Sequence, residues 1–208
     1  MINTINNKVF RTANDAYEYL HDRIIQDGVD FAGTKALFNV GFYITDSQDN
    51  NIINKERDWK RRYAEAEWQW YLSGDCNIDK LGELYGKVPA IWKRMADEDG
   101  NVNSNYGWQW KRSNQIDHVI NLLKYNPDTR QAAISIYDCK EYKKYTNDTP
   151  CTYAVQFTIV HGRLDMCVTM RSNDLWYGFC NDQYCFSKLQ KMVSNDLNIE
   201  PGVYYHFA

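Results

Sequence analysis

The side chains with the most chemical potential in this 208-residue sequence are a thiol, two carboxyl groups and an arginine–serine pair. Cys151 follows Pro150, which restrains Thr149 to extended backbone and makes the start of the next segment rigid. A thiol held there serves as a small buried hydrophobe or, aimed into a cleft, as a nucleophile. Arg171 and Ser172 stand at the far end of the second strand-like run after it, and a guanidinium beside a thiol favours the thiolate, the reactive form. A surface ion pair is the other use of such an arginine. Glu67 sits among Trp68, Trp70 and Tyr71, where desolvation disfavours its charge and lifts its proton affinity towards acid–base use. On a polar helix face it is instead an ordinary solvated glutamate. Asp182 follows Asn181 at a helix start, where unpaired backbone N–H groups stabilise a carboxylate, whether for plain capping or for a ligand.

These groups need a scaffold, and the apolar spacing supplies one. Tyr17, Leu20 and Ile24 make the stripe of a first helix, capped by Asn14 and stopped by Gly28. Ala36 to Thr45 reads as a strand, followed by a polar loop over 46–54. Trp59, Tyr63, Ala66 and Trp70 recur at helical spacing over 55–72, with Gly74 ending the segment that carries Glu67. Pro89 suits the first turn of a short helix bearing Ile91, Trp92 and Met95. Asp99-Gly100 marks a turn, and Ser113 or Asn114 starts a helix with Ile116, Val119 and Leu123 inward. The second half is richer in strands: 132–137, 153–160 and 163–169, the last two joined by His161-Gly162 as a tight hairpin. Asn181 caps a helix with Phe186, Leu189, Met192 and Val193, and an alternating segment over 203–207 follows. Without a regular βαβ beat, this predicts one α/β (α+β) domain with a large, mostly antiparallel or mixed sheet flanked by helices.

Composition narrows the function. A net charge of −3 gives no global field for a polyanion, so a stable nucleic-acid partner is disfavoured while a local phosphate pocket is not. No run approaches the ~18 apolar residues of a membrane span, and the amino terminus has no signal-peptide core, so a cytoplasmic location is expected. The six cysteines form no CxxC and have no His-rich companion run, which argues against a metal site and for free thiols. Aromatic residues reach 15%, enough either for a core built from large rings or for a pocket that stacks a flat ligand.

Five segments, in order, resemble the thymidylate synthase family, which includes bacteriophage-type deoxycytidylate hydroxymethylases: EWQWYLSGDCNI from Glu67, IWKRMADEDGNVNSNYGWQW from Ile91, NPDTR from Asn126, DTPCTYAVQF from Asp148 and MRSNDLWYGFCND from Met170. The likeness spans roughly residues 55 to 208. It implies a homodimer formed through a large bent sheet. It makes Cys151 the nucleophile that adds to C6 of a pyrimidine deoxynucleotide monophosphate, with methylenetetrahydrofolate as co-substrate and no metal. Glu67 then organises proton transfer at the base and Tyr106 helps to remove the C5 proton. Arg171 and Ser172 hold the phosphate, Arg130 reaches the partner subunit's site, Asn105 joins the substrate-binding set, and Trp92 and Asp174 face the folate ring.

The position of Asp182 bears on which base is read. The family's synthases carry an asparagine there, whose amide pairs with the acceptor O4 and donor N3 of uracil. A carboxylate repels O4 but accepts from the N4 amino group of cytosine, so the resemblance favours dCMP hydroxymethylation over dUMP methylation. Several features depart from the family pattern. Phe31 stands near its phosphate-loop basic residue, with only Lys35 close, Gln131 follows Arg130 in place of a second arginine, and Thr152 replaces the histidine after the nucleophile. The sequence also stops at Ala208, where relatives continue into a His-x-Tyr segment and a carboxy-terminal tail, which keeps a non-catalytic nucleotide-binding paralogue among the readings.

Overall fold

The structure, a computed structural model, describes residues 6–141, 145 and 147–208; residues 1–5, part of the amino-terminal stretch without a signal-peptide core, lie outside them. Its centre is a six-stranded sheet in the order β1 (Asn6–Phe10), β4 (Gly41–Ile44), β8 (Glu200–Phe207), β7 (Arg163–Met170), β6 (Thr152–Val160), β5 (Ala133–Ser135). The pairs β1–β4 and β7–β8 are parallel and the others antiparallel, so the sheet is mixed, as expected. β2 (Val29–Phe31) and β3 (Thr34–Ala36) form a separate small hairpin.

The strongest sequence signals are the most faithfully realised. His161 and Gly162 both take left-handed backbone, φ +49° and +74°, so a two-residue turn sets Val160 opposite Arg163 and fixes the β6–β7 register. On β7, Leu164, Met166, Val168 and Met170 are buried while Asp165, Cys167 and Thr169 are half-buried on the other face. Phe186, Leu189 and Val193 of α7 (Cys180–Leu197) belong to the same core as that buried face. Trp70, Tyr71 and Ala64 put the inward stripe of α2 (Arg61–Ser73) there too, and α2 ends at a left-handed Gly74. α6 (Gln115–Tyr125) buries Ile116, Val119 and Leu123.

Boundaries differ where turn geometry overrides periodicity. Asp58 has φ +46°, which no helix accommodates, so α2 starts at Arg61 rather than at Lys55. Thr12, not Asn14, caps α1 (Ala13–Asp27), exchanging hydrogen bonds with Asp15 in a capping box, while Asn14 accepts from the Ile53 amide. Asn39, with φ +55°, interrupts the expected 36–45 strand, which is realised as β4 alone, with Ala36 ending the separate β2–β3 hairpin. The last helix is not capped by Asn181: a π-type turn over Leu175–Phe179, capped by Asp174, leads directly into α7. Two helices, α3 (Ile78–Tyr85) and α5 (Tyr106–Lys111), are too short to show a period and carry no prior expectation; α4 (Ala90–Met95) follows Pro89 as expected. No helix among the described residues is long and apolar enough to cross a membrane.

Candidate active site

Cys151 lies half-buried immediately before β6, in a segment fastened from three sides. Its amide and that of Thr152 donate to the Tyr106 hydroxyl at 3.2 and 3.3 Å. Its carbonyl accepts from the Arg171 amide at 2.8 Å. The Arg171 side chain reaches back along the same segment, with Nε to the Pro150 carbonyl at 3.2 Å and the guanidinium to the Thr149 carbonyl at 2.9 Å. Three residues upstream, buried Asp148 takes two hydrogen bonds of 2.6 Å from the amide and hydroxyl of Ser104. The strand start is thus pinned before any ligand arrives.

Tyr106 is itself placed by the contact of α5 with α2. A Cβ on Gly107 would sit 1.6 Å from the Tyr71 carbonyl oxygen, so only glycine lets the two backbones approach this closely. The Tyr106 and Tyr71 rings meet edge to face, 5.7 Å apart. Asn105 caps α5 through the Trp108 amide at 2.9 Å and donates to the carbonyls of Trp70 and Asp75. Its amide nitrogen is therefore committed to backbone carbonyls at and just beyond the end of α2 rather than left for a ligand.

The two carboxyl groups occupy one electrostatic neighbourhood with the thiol. Glu67 is 4% exposed, and its Oε1 accepts from the hydroxyls of Tyr63 and Tyr71 at 3.4 and 3.2 Å, while buried Oε2 has no protein partner. Burial, and next the field of Asp182, push its pKa up to about 8, as its position among large rings led us to expect. Asp182 is pushed up to about 7, again chiefly by burial, with a 2.7 Å hydrogen bond from Asn173 Nδ2 acting against it. For Cys151 the expected benefit of Arg171 is present but outweighed: burial and then Asp182 raise the thiol to about 11. A protonated thiol is the resting state at neutral pH.

The remaining predicted residues are distributed around this group. Ser172 is exposed beside Arg171, and Arg130 is exposed in the loop leading to β5. Trp92 on α4 is half-buried, packs edge to face on Trp70 at 5.2 Å and donates its indole N–H to the Tyr63 hydroxyl at 2.8 Å. Exposed Asp174 accepts from the Tyr177 amide at 2.6 Å as the cap of the π-type turn. Lys35 sits on the β2–β3 hairpin, 3.4 Å from Asp30. Among the described residues, no group of three or more His, Cys, Asp or Glu side chains is arranged to hold a metal.

Four partners escaped the reading of the sequence. Tyr63 and Tyr71 lie four residues before and after Glu67, a spacing that stacks them on its helix face and could have revealed them. Asp148 and Asn173 gave no such signal, since their contacts cross loops.

With a mixed six-stranded sheet, a pinned cysteine, the buried carboxyl of Glu67 and the half-buried one of Asp182, the class is defined: the sequence model of the thymidylate synthase family matches residues 15–208, and the chain belongs to that family. It is 38% identical over 146 residues to the deoxycytidylate 5-hydroxymethyltransferase of Enterobacteria phage T4, an alignment covering 65% of this chain and 57% of that protein. It is 29% identical over 164 residues to the thymidylate synthase of Bacillus subtilis subsp. natto, covering 74% of this chain and 56% of that one. The chain thus spans a little over half the length of these relatives. In structure it resembles the thymidylate synthase of T4 phage, with TM-score 0.75 and 23% identity over 92% of this chain and 73% of that one. It also resembles the thermostable thymidylate synthase A of Bacillus subtilis, with TM-score 0.76 and 23% identity over 94% and 77%.

Proposed function

We propose that the protein is a cytoplasmic, folate-dependent one-carbon transferase acting at C5 of a pyrimidine deoxynucleotide monophosphate, and that the nucleotide is dCMP, converted to 5-hydroxymethyl-dCMP. The observation that carries this reading is the carboxyl group of Asp182, held within the field of Cys151, Glu67 and Tyr106. Ionised Asp182 accepts from the N4 amino group of cytosine and repels O4 of uracil.

In this mechanism the Cys151 sulfur bonds to C6, its proton passing to water as the bond forms, with Arg171 the cation acting on the sulfur. The C5–C6 electron pair then makes C5 nucleophilic. Methylenetetrahydrofolate would supply the one-carbon unit and depart as tetrahydrofolate. Half-buried Trp92 suits a flat heterocycle because its N–H is already satisfied by Tyr63 and its ring remains available for packing, and exposed Asp174 suits a polar ring edge. Glu67, protonated at neutral pH, holds a proton next to the base, and Tyr106 assists loss of the C5 proton. Water then completes the hydroxymethyl group as the S–C6 bond breaks. Arg171 and Ser172 take the 5′-phosphate, which requires Arg171 to exchange backbone carbonyls for phosphate oxygens.

A homodimer through the sheet is supported by its second face. Tyr43, Tyr205, Cys167 and Gln156 form one row across β4, β8, β7 and β6, none of them buried, and the two tyrosine rings are 4.6 Å apart. Arg130, exposed near the β5 edge, is then available to the partner's nucleotide.

The test is incubation of the full-length protein with methylenetetrahydrofolate and nucleotide tritiated at C5. Release from dCMP with a hydroxymethyl product is expected; release from dUMP alone overturns the substrate assignment. The pKa of Asp182 near 7 favours one rival, a thymidylate synthase in which the protonated acid donates to uracil O4. Formation of dihydrofolate, followed by its absorbance, marks that outcome.

A further inference from the structure

We propose that Asn173 is a specificity-setting positioning residue: its amide N–H fixes Oδ2 of Asp182, leaving the other carboxylate oxygen to read the pyrimidine edge. The inference rests on the reading that Asp182 meets the base. Asn173 lies in the loop between β7 and the π-type turn, nine residues before Asp182, and the two side chains are 2.7 Å apart. The loop is shaped around the pair. A Cβ on Gly178 would lie 2.9 Å from Asn173 Nδ2 and 3.2 Å from Asp182 Oδ2, so bare backbone packs over the bond. Asn173 Oδ1 is buried without a partner. Flipping the amide would bring that oxygen against Oδ2, acceptor to acceptor, so an ionised Asp182 sets the amide orientation and the amide in turn holds the carboxylate.

The bond also controls charge. The titratable groups acting on or with Asp182 are Asp174 ahead of the π-type turn, Glu67 and Tyr71 on α2, Tyr106 on α5, Cys151 before β6, Tyr204 on β8, and Cys180 and Cys185 on its own helix. These are acids, and Asp174 and burial hold Asp182 towards its neutral form, whereas the Asn173 hydrogen bond favours the anion. Without that donor the acid form persists to higher pH, and a carboxylic acid donates to uracil O4 as readily as a carboxylate accepts from cytosine N4.

The experiment compares kcat/KM for dCMP and dUMP, by tritium release, in full-length wild type, Asn173→Ala, the isosteric Asn173→Asp and Asp182→Asn, across a pH range spanning the Asp182 transition near 7. In wild type the dCMP preference grows as pH rises through that transition. Asn173→Ala moves the transition to higher pH and lowers the dCMP to dUMP ratio at neutral pH about tenfold, the loss expected for one charge-assisted hydrogen bond. Asn173→Asp moves it further, because two carboxyl groups at this spacing share one proton. It also keeps the side-chain shape should the alanine variant fold poorly. Unchanged ratio and pH profile in both Asn173 variants, with the preference inverted in Asp182→Asn, overturns the role of Asn173 and leaves the substrate reading intact. A preference that Asp182→Asn does not alter overturns the substrate reading and the inference with it.

Discussion

Glu67 is an unfavourable group for the folded state, and replacing it with glutamine should expose the size of that penalty. Its carboxyl has a pKa near 4.5 when solvated and about 8 in the fold, so between those values the unfolded chain releases a proton that the folded protein keeps. For an acid whose proton affinity is raised on folding, stability is greatest below the solvated pKa and declines as pH rises to the folded one. At about 1.4 kcal/mol per pH unit the interval amounts to roughly 5 kcal/mol, a ceiling because Asp182 titrates within the same interval and contributes to the shift. Glu67→Gln keeps an acceptor for the Tyr63 and Tyr71 hydroxyls but has no proton to release. Its stability relative to wild type should therefore grow steadily from acid to neutral pH and level off near pH 8. Urea denaturation of both proteins across that range measures the difference. Parallel stability curves would refute burial as the source of the raised proton affinity. Turnover should fall by about 10²–10⁴-fold in the same variant, so the stabilised protein is the inactive one.

Other consequences can be checked directly. Alkylation of Cys151, followed by peptide mass spectrometry, should be slow at neutral pH and accelerate about tenfold per pH unit towards 11; Arg171→Ala should slow it further at any given pH, because the cation that lowers the thiol pKa is gone. Gly107→Ala should cost more than about 3 kcal/mol or abolish soluble expression, since its methyl group meets the Tyr71 carbonyl and not a movable side chain. Tyr106→Phe leaves the amides of Cys151 and Thr152 without their acceptor and should lower stability by about 2–4 kcal/mol in denaturant titration. Tyr205→Arg, in the row of half-buried and exposed groups on the sheet's second face, should give a monomer in sedimentation velocity.

What the sequence disclosed follows from the range of the forces involved. The β6–β7 hairpin was legible because two turn residues and alternating side chains are local signals, and Glu67 because its helical neighbours are large rings. Thr12 and Asp174 were missed as caps because several nearby residues have the same capping chemistry and only the loop path selects among them. The benefit of Arg171 to the Cys151 thiolate was legible but its defeat by burial was not, since the winner depends on how much protein surrounds the sulfur. Asn173 was visible within a recognised motif, yet its bond to Asp182 depends on a π-type turn that periodicity does not encode.

The strand order has a consequence for biogenesis. β8 is inserted between β4 and β7, so the sheet remains two separate ribbons, one from each end of the chain, until residues 200–207 have been synthesised. During translation both ribbons present a raw hydrogen-bonding edge that a neighbouring nascent chain could occupy. Because β8 joins them through contacts distant in sequence, its docking should be a slow step in maturation, and Cys151, at the start of one ribbon, meets the amino-terminal half's sheet only once that seam closes.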